Sequence, residues 1–200
     1  MSTPKSAYSI PTKKGKIDKH IFVVWVDNES GVLARVVGLF SGRGYNIESL
    51  AVAEVDATKN ISRITIVTTG TPQVIDQIKL QLKKLVPVHK VADFKREDKN
   101  VIFKEMALLK IVAQKKKIEK CLKECKKFNP IILDKTSKSV VVQITALRRE
   151  IDIMSKKLKP HGLTSTSRTG AIAMTRGADT FKWNYKGDKK WKCFMKKMLM

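Results

Sequence analysis

Residues Ile21-Phe22-Val23-Val24-Trp25-Val26 are six consecutive apolar side chains of strand-forming type. Side chains alternate across a strand, so a run with no polar member is the pattern of a strand buried on both faces of a sheet. Asp27-Asn28-Glu29-Ser30-Gly31 breaks the run with turn and capping residues. Val32, Leu33, Val36, Val37 and Phe40 then recur at helical spacing, and Gly42 or Gly44 can end the helix. Strands are expected from about Ile47 to Val55 and from Ile61 to Thr69, joined by a hairpin loop over Asp56 to Asn60. Thr71-Pro72 opens a second helix whose apolar stripe is Val74, Ile78, Leu82 and Leu85. Val86 to Phe94 supplies a fourth strand. The order is βαββαβ, the ferredoxin-like arrangement.

The order recurs further along. Met106 to Val112 reads as a strand, and Ile118, Cys121, Leu122, Cys125 and Phe128 sit at helical spacing. Pro130 to Leu133 and Ser139 to Ile144 read as strands, and Leu147, Ile151, Met154 and Leu158 form a helix stripe that Pro160-His161-Gly162 ends. One last strand falls within Leu163 to Met174. The fold class is therefore α+β, two ferredoxin-like βαββαβ units joined by a charged linker near Lys95–Asn100. Residues 1–19 read as a disordered basic arm, 20–96 as the first domain, 97–178 as the second, and 179–200 as a basic and aromatic tail.

A chain of 200 residues with net charge +23 first raises nucleic acid as a partner. The distribution argues otherwise. Residues 1–20 carry +4, 21–96 carry +3, 97–178 carry +11 and 179–200 carry +5, so the best-patterned segment is nearly balanced. Lysine outnumbers arginine 33 to 8, whereas planar recognition of phosphate and bases favours arginine. The stretch Ile61 to Thr69 also lacks the aromatics on which bases stack. A lysine-biased background and a functional basic surface both remain as readings of the excess. No apolar run approaches the roughly 18 residues of a membrane span, and the first twenty residues lack the apolar core of a signal peptide. Cys121, Cys125 and Cys193 are then expected as free thiols in a reducing compartment.

Catalytic constellations are not apparent. His20, His89 and His161 lie far apart in sequence, and neither a phosphate-binding P-loop nor a GxGxxG occurs. Cys121 and Cys125 are one helical turn apart, which suits either a metal pair or two small residues on a buried stripe. The most informative segment is Asp27 to Leu33. It places polar groups and a glycine where a helix begins, and there free N–H groups and the helix dipole attract a carboxylate. An ordinary capped turn has the same composition.

The stretch from Asp27 to Leu50, DNESGVLARVVGLFSGRGYNIESL, resembles the opening ACT domain of acetolactate synthase small subunits, whose pattern NxSGxLxRVxGLFxxRGYNIxSL it follows nearly throughout. Ile61-Ser62-Arg63-Ile64-Thr65-Ile66 is similar to that family's next strand, and weaker similarity runs through Glu105 to Ile111, Ser167-Arg168-Thr169-Gly170 and Thr175-Arg176-Gly177. The lysine-rich stretch 113–138 and both tails depart from it. The resemblance implies a non-catalytic regulatory subunit of branched-chain amino-acid biosynthesis. It implies a homodimer whose ACT domains pair side by side, with effector sites for valine, or leucine or isoleucine, at their interface. The site residues it implies are Asn28, Gly31, Val32, Leu33, Asn46 and Ile47. The partner would be the large catalytic subunit, which uses thiamine diphosphate, magnesium and FAD; no cofactor or metal is expected in this chain. The first half would bind effector and the second engage the large subunit. A tandem-ACT regulator of another pathway or of transcription is the alternative. Cytoplasm is the expected location, with a plastid or other organelle as alternative.

Overall fold

A computed structural model of the chain describes residues 16–95 and 98–178. Its first unit runs β1 (Asp18–Asp27), α1 (Val32–Ser41), β2 (Ser49–Asp56), β3 (Ile61–Gly70), α2 (Pro72–Lys84) and β4 (Val88–Lys95). The strands form an antiparallel sheet in the order β2-β3-β1-β4. β1 begins at Asp18, so Asp18 and Lys19 belong to the sheet rather than to the basic arm. Helix α2 starts at Thr71, whose side chain accepts from the Val74 N–H, followed by proline at the first helical position. Its buried stripe is Ile75, Ile78 and Leu82, with Val74 only partly buried. The expected stripe thus starts one residue early, a shift that the 3.6-residue period leaves open at a helix end.

Both faces of β1 are covered, by different halves of the chain. Phe22, Val24 and Val26 face α1 and α2 and share a core with Val36, Phe40, Ile64, Ile66, Ile78 and Leu82. Ile21, Val23 and Trp25 face the other way, into a cluster with Val67, Val101, Ala171 and Ala173. The last three belong to the second half, so the junction is itself a hydrophobic core. The edge-to-face rings of Phe94 and Phe103, 6.5 Å between centroids, extend it across the linker.

The second unit runs β5 (Val101–Val112), α3 (Lys115–Cys125), β6 (Ile131–Lys135), β7 (Ser139–Ala146), α4 (Arg148–Leu158), β8 (Leu163–Arg168) and β9 (Ile172–Thr175). Its order β6-β7-β5-β8 repeats that of the first sheet. Where one final strand was expected there are two, separated at Gly170, which has φ +82°. β5 is correspondingly longer than expected: Val101–Lys104 pairs with β9, and Glu105–Val112 pairs with β7. Helices α3 and α4 cover one face, packing Ile118, Cys121, Cys125, Ile151, Met154 and Leu158 onto Leu109, Ile111, Val140 and Val142.

β5 changes partners at Glu105, a carboxylate only 3% exposed. Arg168 holds it bidentately, with Nε and Nη2 donating over 2.6 and 2.8 Å, while Nη1 donates to Asp152 on α4 at 2.5 Å. A buried carboxylate persists where such a fork satisfies it.

Candidate functional site

Helix α1 begins at Gly31 in the left-handed region, φ +81° and ψ −8°, with no side chain capping it. The Val32 N–H donates to Glu29 O at 3.3 Å, while the N–H groups of Leu33 and Ala34 find no acceptor among the described residues. Unpaired donors there, at the positive end of the helix dipole, suit an anion. A Cβ on Gly31 would meet nothing within 4 Å, so the space above the turn is open. The turn itself is fixed. Asn28 donates its N–H to Asn60 O at 2.7 Å, and its Oδ1 accepts from Ser62 Oγ at 2.9 Å. Asp27 pairs with His89 of β4.

Val32 is 4% exposed and packs in the core, so toward a ligand it offers its backbone alone. Leu33, 40% exposed, offers a side chain. Asn46 and Ile47 lie past the other end of α1, after Gly44 with φ +66°. The Asn46 carbonyl accepts from Thr68 Oγ1 at 2.6 Å, leaving its side chain exposed, while Ile47 packs partly against the core. The expected residues therefore form two groups: Asn28, Gly31, Val32 and Leu33 at the start of α1, and Asn46 and Ile47 beyond its end. Eight helical residues, Ala34 to Ser41, separate the groups, a span of about 12 Å at 1.5 Å per residue. One small amino acid does not bridge that distance within one chain.

The second group adjoins contacts that the sequence alone did not single out. Arg148 Nη1, at the start of α4, donates to Glu48 O at 3.0 Å, and the Ala171 N–H donates to Ser49 Oγ at 3.2 Å. Gly170 lies so close to β2 that a Cβ there would be 2.9 Å from Ser49 Oγ and 3.1 Å from Leu50 O. The strings around Ser49 and Gly170 both carry family resemblance, but nothing in a string says that they touch.

Among the described residues no group of three His, Cys, Asp or Glu side chains is placed to hold a metal. Cys121 and Cys125 are free and buried, and burial pushes the Cys125 thiol up to about 11 and raises that of Cys121 as well. Protonated thiols in an apolar core act as packing. No helix of the described residues is long and apolar enough to cross a membrane.

Residues 22–90 match the family described as the AHAS small subunit-like ACT domain, and residues 104–177 match that described as the small subunit of acetolactate synthase. The acetolactate synthase small subunit of Aquifex aeolicus is 37% identical over 165 residues, covering 82% of this chain and 84% of that protein. That of Bacillus subtilis is 35% identical over 160 residues, covering 80% and 91%. The chain belongs to the acetolactate synthase small subunit family. The crystal structure of that subunit from Thermotoga maritima superposes with a TM-score of 0.71 at 31% identity, covering 80% of this chain and 99% of that one. The two family matches fall one on each βαββαβ unit, so the first unit is an ACT domain and the second is the small subunit's own C-terminal fold.

Proposed function

We propose that this chain is the non-catalytic regulatory subunit of acetolactate synthase, stimulating a large catalytic subunit and making it sensitive to feedback inhibition by a branched-chain amino acid. Valine is the first candidate effector. Thiamine diphosphate, magnesium and FAD belong in this reading to the large subunit. The observation that carries it is the glycine-capped start of α1, with unpaired N–H groups opening on free space, in a chain of this family. The carboxylate of valine accepts from the N–H groups near Gly31 to Leu33, and the Asn28 amide steadies the turn.

The separation of the two residue groups along α1 supports a dimer. Two ACT domains side by side bring Asn46 and Ile47 of one copy toward the Gly31 turn of the other, so that one ligand meets both groups. Ile47 then borders the space for the isopropyl group, which discriminates between effectors by only about 1–3 kcal/mol per methylene. The first half holds the effector and residues 101–178 engage the large subunit. An effector that favours one arrangement of the pair by about 1–3 kcal/mol changes activity severalfold or more. Calorimetry with valine, beside sedimentation of the same sample, tests this reading. A dimer that binds valine is expected; a monomer, or a dimer with no heat of binding, contradicts it.

A further inference from the structure

The ribbon of β5 and β9 lies across the outer face of the first sheet but leaves β2 partly uncovered. Between them is a cavity of about 590 Å³. Ala51, Ala53 and Val55 of β2 and Ile102, Ile172 and Met174 of the ribbon line it, the four larger side chains each at least 36% exposed despite being apolar. Two cations complete the wall, Arg63 of β3 and Lys104 of β5, and none of the lining residues is acidic.

Arg63 is the unusual member. Its guanidinium lies 5.3 Å from the centroid of the Trp25 ring, and one Nη donates to the Ala173 carbonyl. Its buried Nε has no hydrogen-bond partner among the described residues. The cation is thus held at the junction by an aromatic face and a carbonyl. A half-buried cation beside empty apolar space is stabilised by an anion placed there. The missing acid matters equally: the wall offers an ammonium group only neutral acceptors such as the hydroxyls of Thr65 and Thr169 and no carboxylate, so a zwitterionic amino acid would leave its positive charge without a counter-ion.

We propose that this cavity is a second ligand site, separate from the α1 turn, for a monocarboxylate with an apolar body larger than an amino-acid side chain and no amino group. The carboxylate pairs with Arg63 and Lys104, and the body lies between Ala51 and Ala53 on one side and Ile172 and Met174 on the other. The size falls within the range of small-molecule pockets, about 300–1,000 Å³. Because its walls come from both halves, an occupant braces them together and stabilises the folded chain in proportion to its binding.

Octanoate is the probe, with octylamine as its counterpart of opposite charge and similar apolar length, titrated calorimetrically into the full chain. Octanoate is expected to bind at least about tenfold more tightly than octylamine, the scale of one charge-assisted contact. Lys104→Met is expected to weaken octanoate severalfold. Ala53→Phe, which fills the cavity from β2 and leaves both cations in place, is expected to abolish binding. Gly31→Asp, at the other site, is expected to leave octanoate binding unchanged. Equal binding of both amphiphiles shows simple apolar adhesion and overturns the proposal. So does octanoate binding that survives Ala53→Phe, or none at all by the wild-type chain because a second copy covers the face.

Discussion

Gly31 combines a left-handed backbone with open space above it, and two substitutions separate these properties. Asn and Asp both tolerate φ near +60°, with nearly the same shape and a different charge. Gly31→Asn and Gly31→Asp are each expected to fold, losing about 1 kcal/mol of stability to backbone strain. Gly31→Asp places a negative charge where the effector carboxylate is proposed to sit. It should lose measurable valine binding and inhibition while still stimulating the large subunit, whereas Gly31→Asn should weaken binding far less. Equal valine affinity in wild type and Gly31→Asp, by calorimetry, would remove the site from this turn. A second residue-scale test concerns Glu105, 3% exposed and held by Arg168. Arg168→Met strands a buried carboxylate and should cost about 3–5 kcal/mol in denaturant unfolding. Adding Glu105→Gln should recover part of that loss, because the stranded charge is gone; strictly additive losses would show that the two side chains are not coupled. Neither partnership could be read from the sequence. Glu105 sits in an apolar stretch and Arg168 in a serine- and threonine-rich one, 63 residues apart, and only the pairing of β5 with β8 brings them together.

Among the elements, those with a complete local signal were legible. The six-residue apolar run did become a strand buried on both faces, and α1 runs from Val32, the first residue of its apolar stripe, to the residue before Gly42. β9 was not legible, because Ile-Ala-Met-Thr is four residues with a small side chain at its buried position. Its identity as a strand comes from pairing with Val101–Lys104, which local propensity does not encode. The first part of β5 was missed for the same reason, lying against a charged linker. Gly170 marks the turn between β8 and β9 and tests the junction they build. Gly170→Ala adds strain at φ +82° and a contact of 2.9 Å to Ser49 Oγ. A loss of about 1–3 kcal/mol in unfolding free energy is expected, and Ser49→Ala in the same background relieves only the contact with Ser49 Oγ, since the Leu50 carbonyl stays 3.1 Å from the added Cβ. A Gly170→Ala chain as stable as wild type would mean that β2 and this turn are not in close contact.

On the scale of the whole molecule, the sequence suggested two halves separable near Lys95–Asn100, whereas Ile21, Val23 and Trp25 share a core with Val101, Ala171 and Ala173. That sharing was present in the first apolar run, since a strand buried on both faces needs a second cover, but the run does not say which segment supplies it. A chain truncated at Lys99 exposes this face, and each large apolar side chain uncovered forfeits about 1.5–3 kcal/mol. The truncated chain is expected to unfold at lower denaturant or to self-associate; one as stable and dispersed as the full chain would show that the ACT domain holds its outer face without the second half. The proposed division of labour between the halves, effector binding in one and engagement of the large subunit in the other, then requires a junction stiff enough to pass a rearrangement across. The most direct test of the regulatory account is the rate of acetolactate formation from pyruvate by a large catalytic subunit, measured with and without this chain and with and without valine. The account predicts no turnover by the chain alone, a higher rate when it joins the large subunit, and loss of that rate as valine saturates. Turnover by the chain alone, or a large subunit whose rate and valine response are unchanged by its addition, would contradict it.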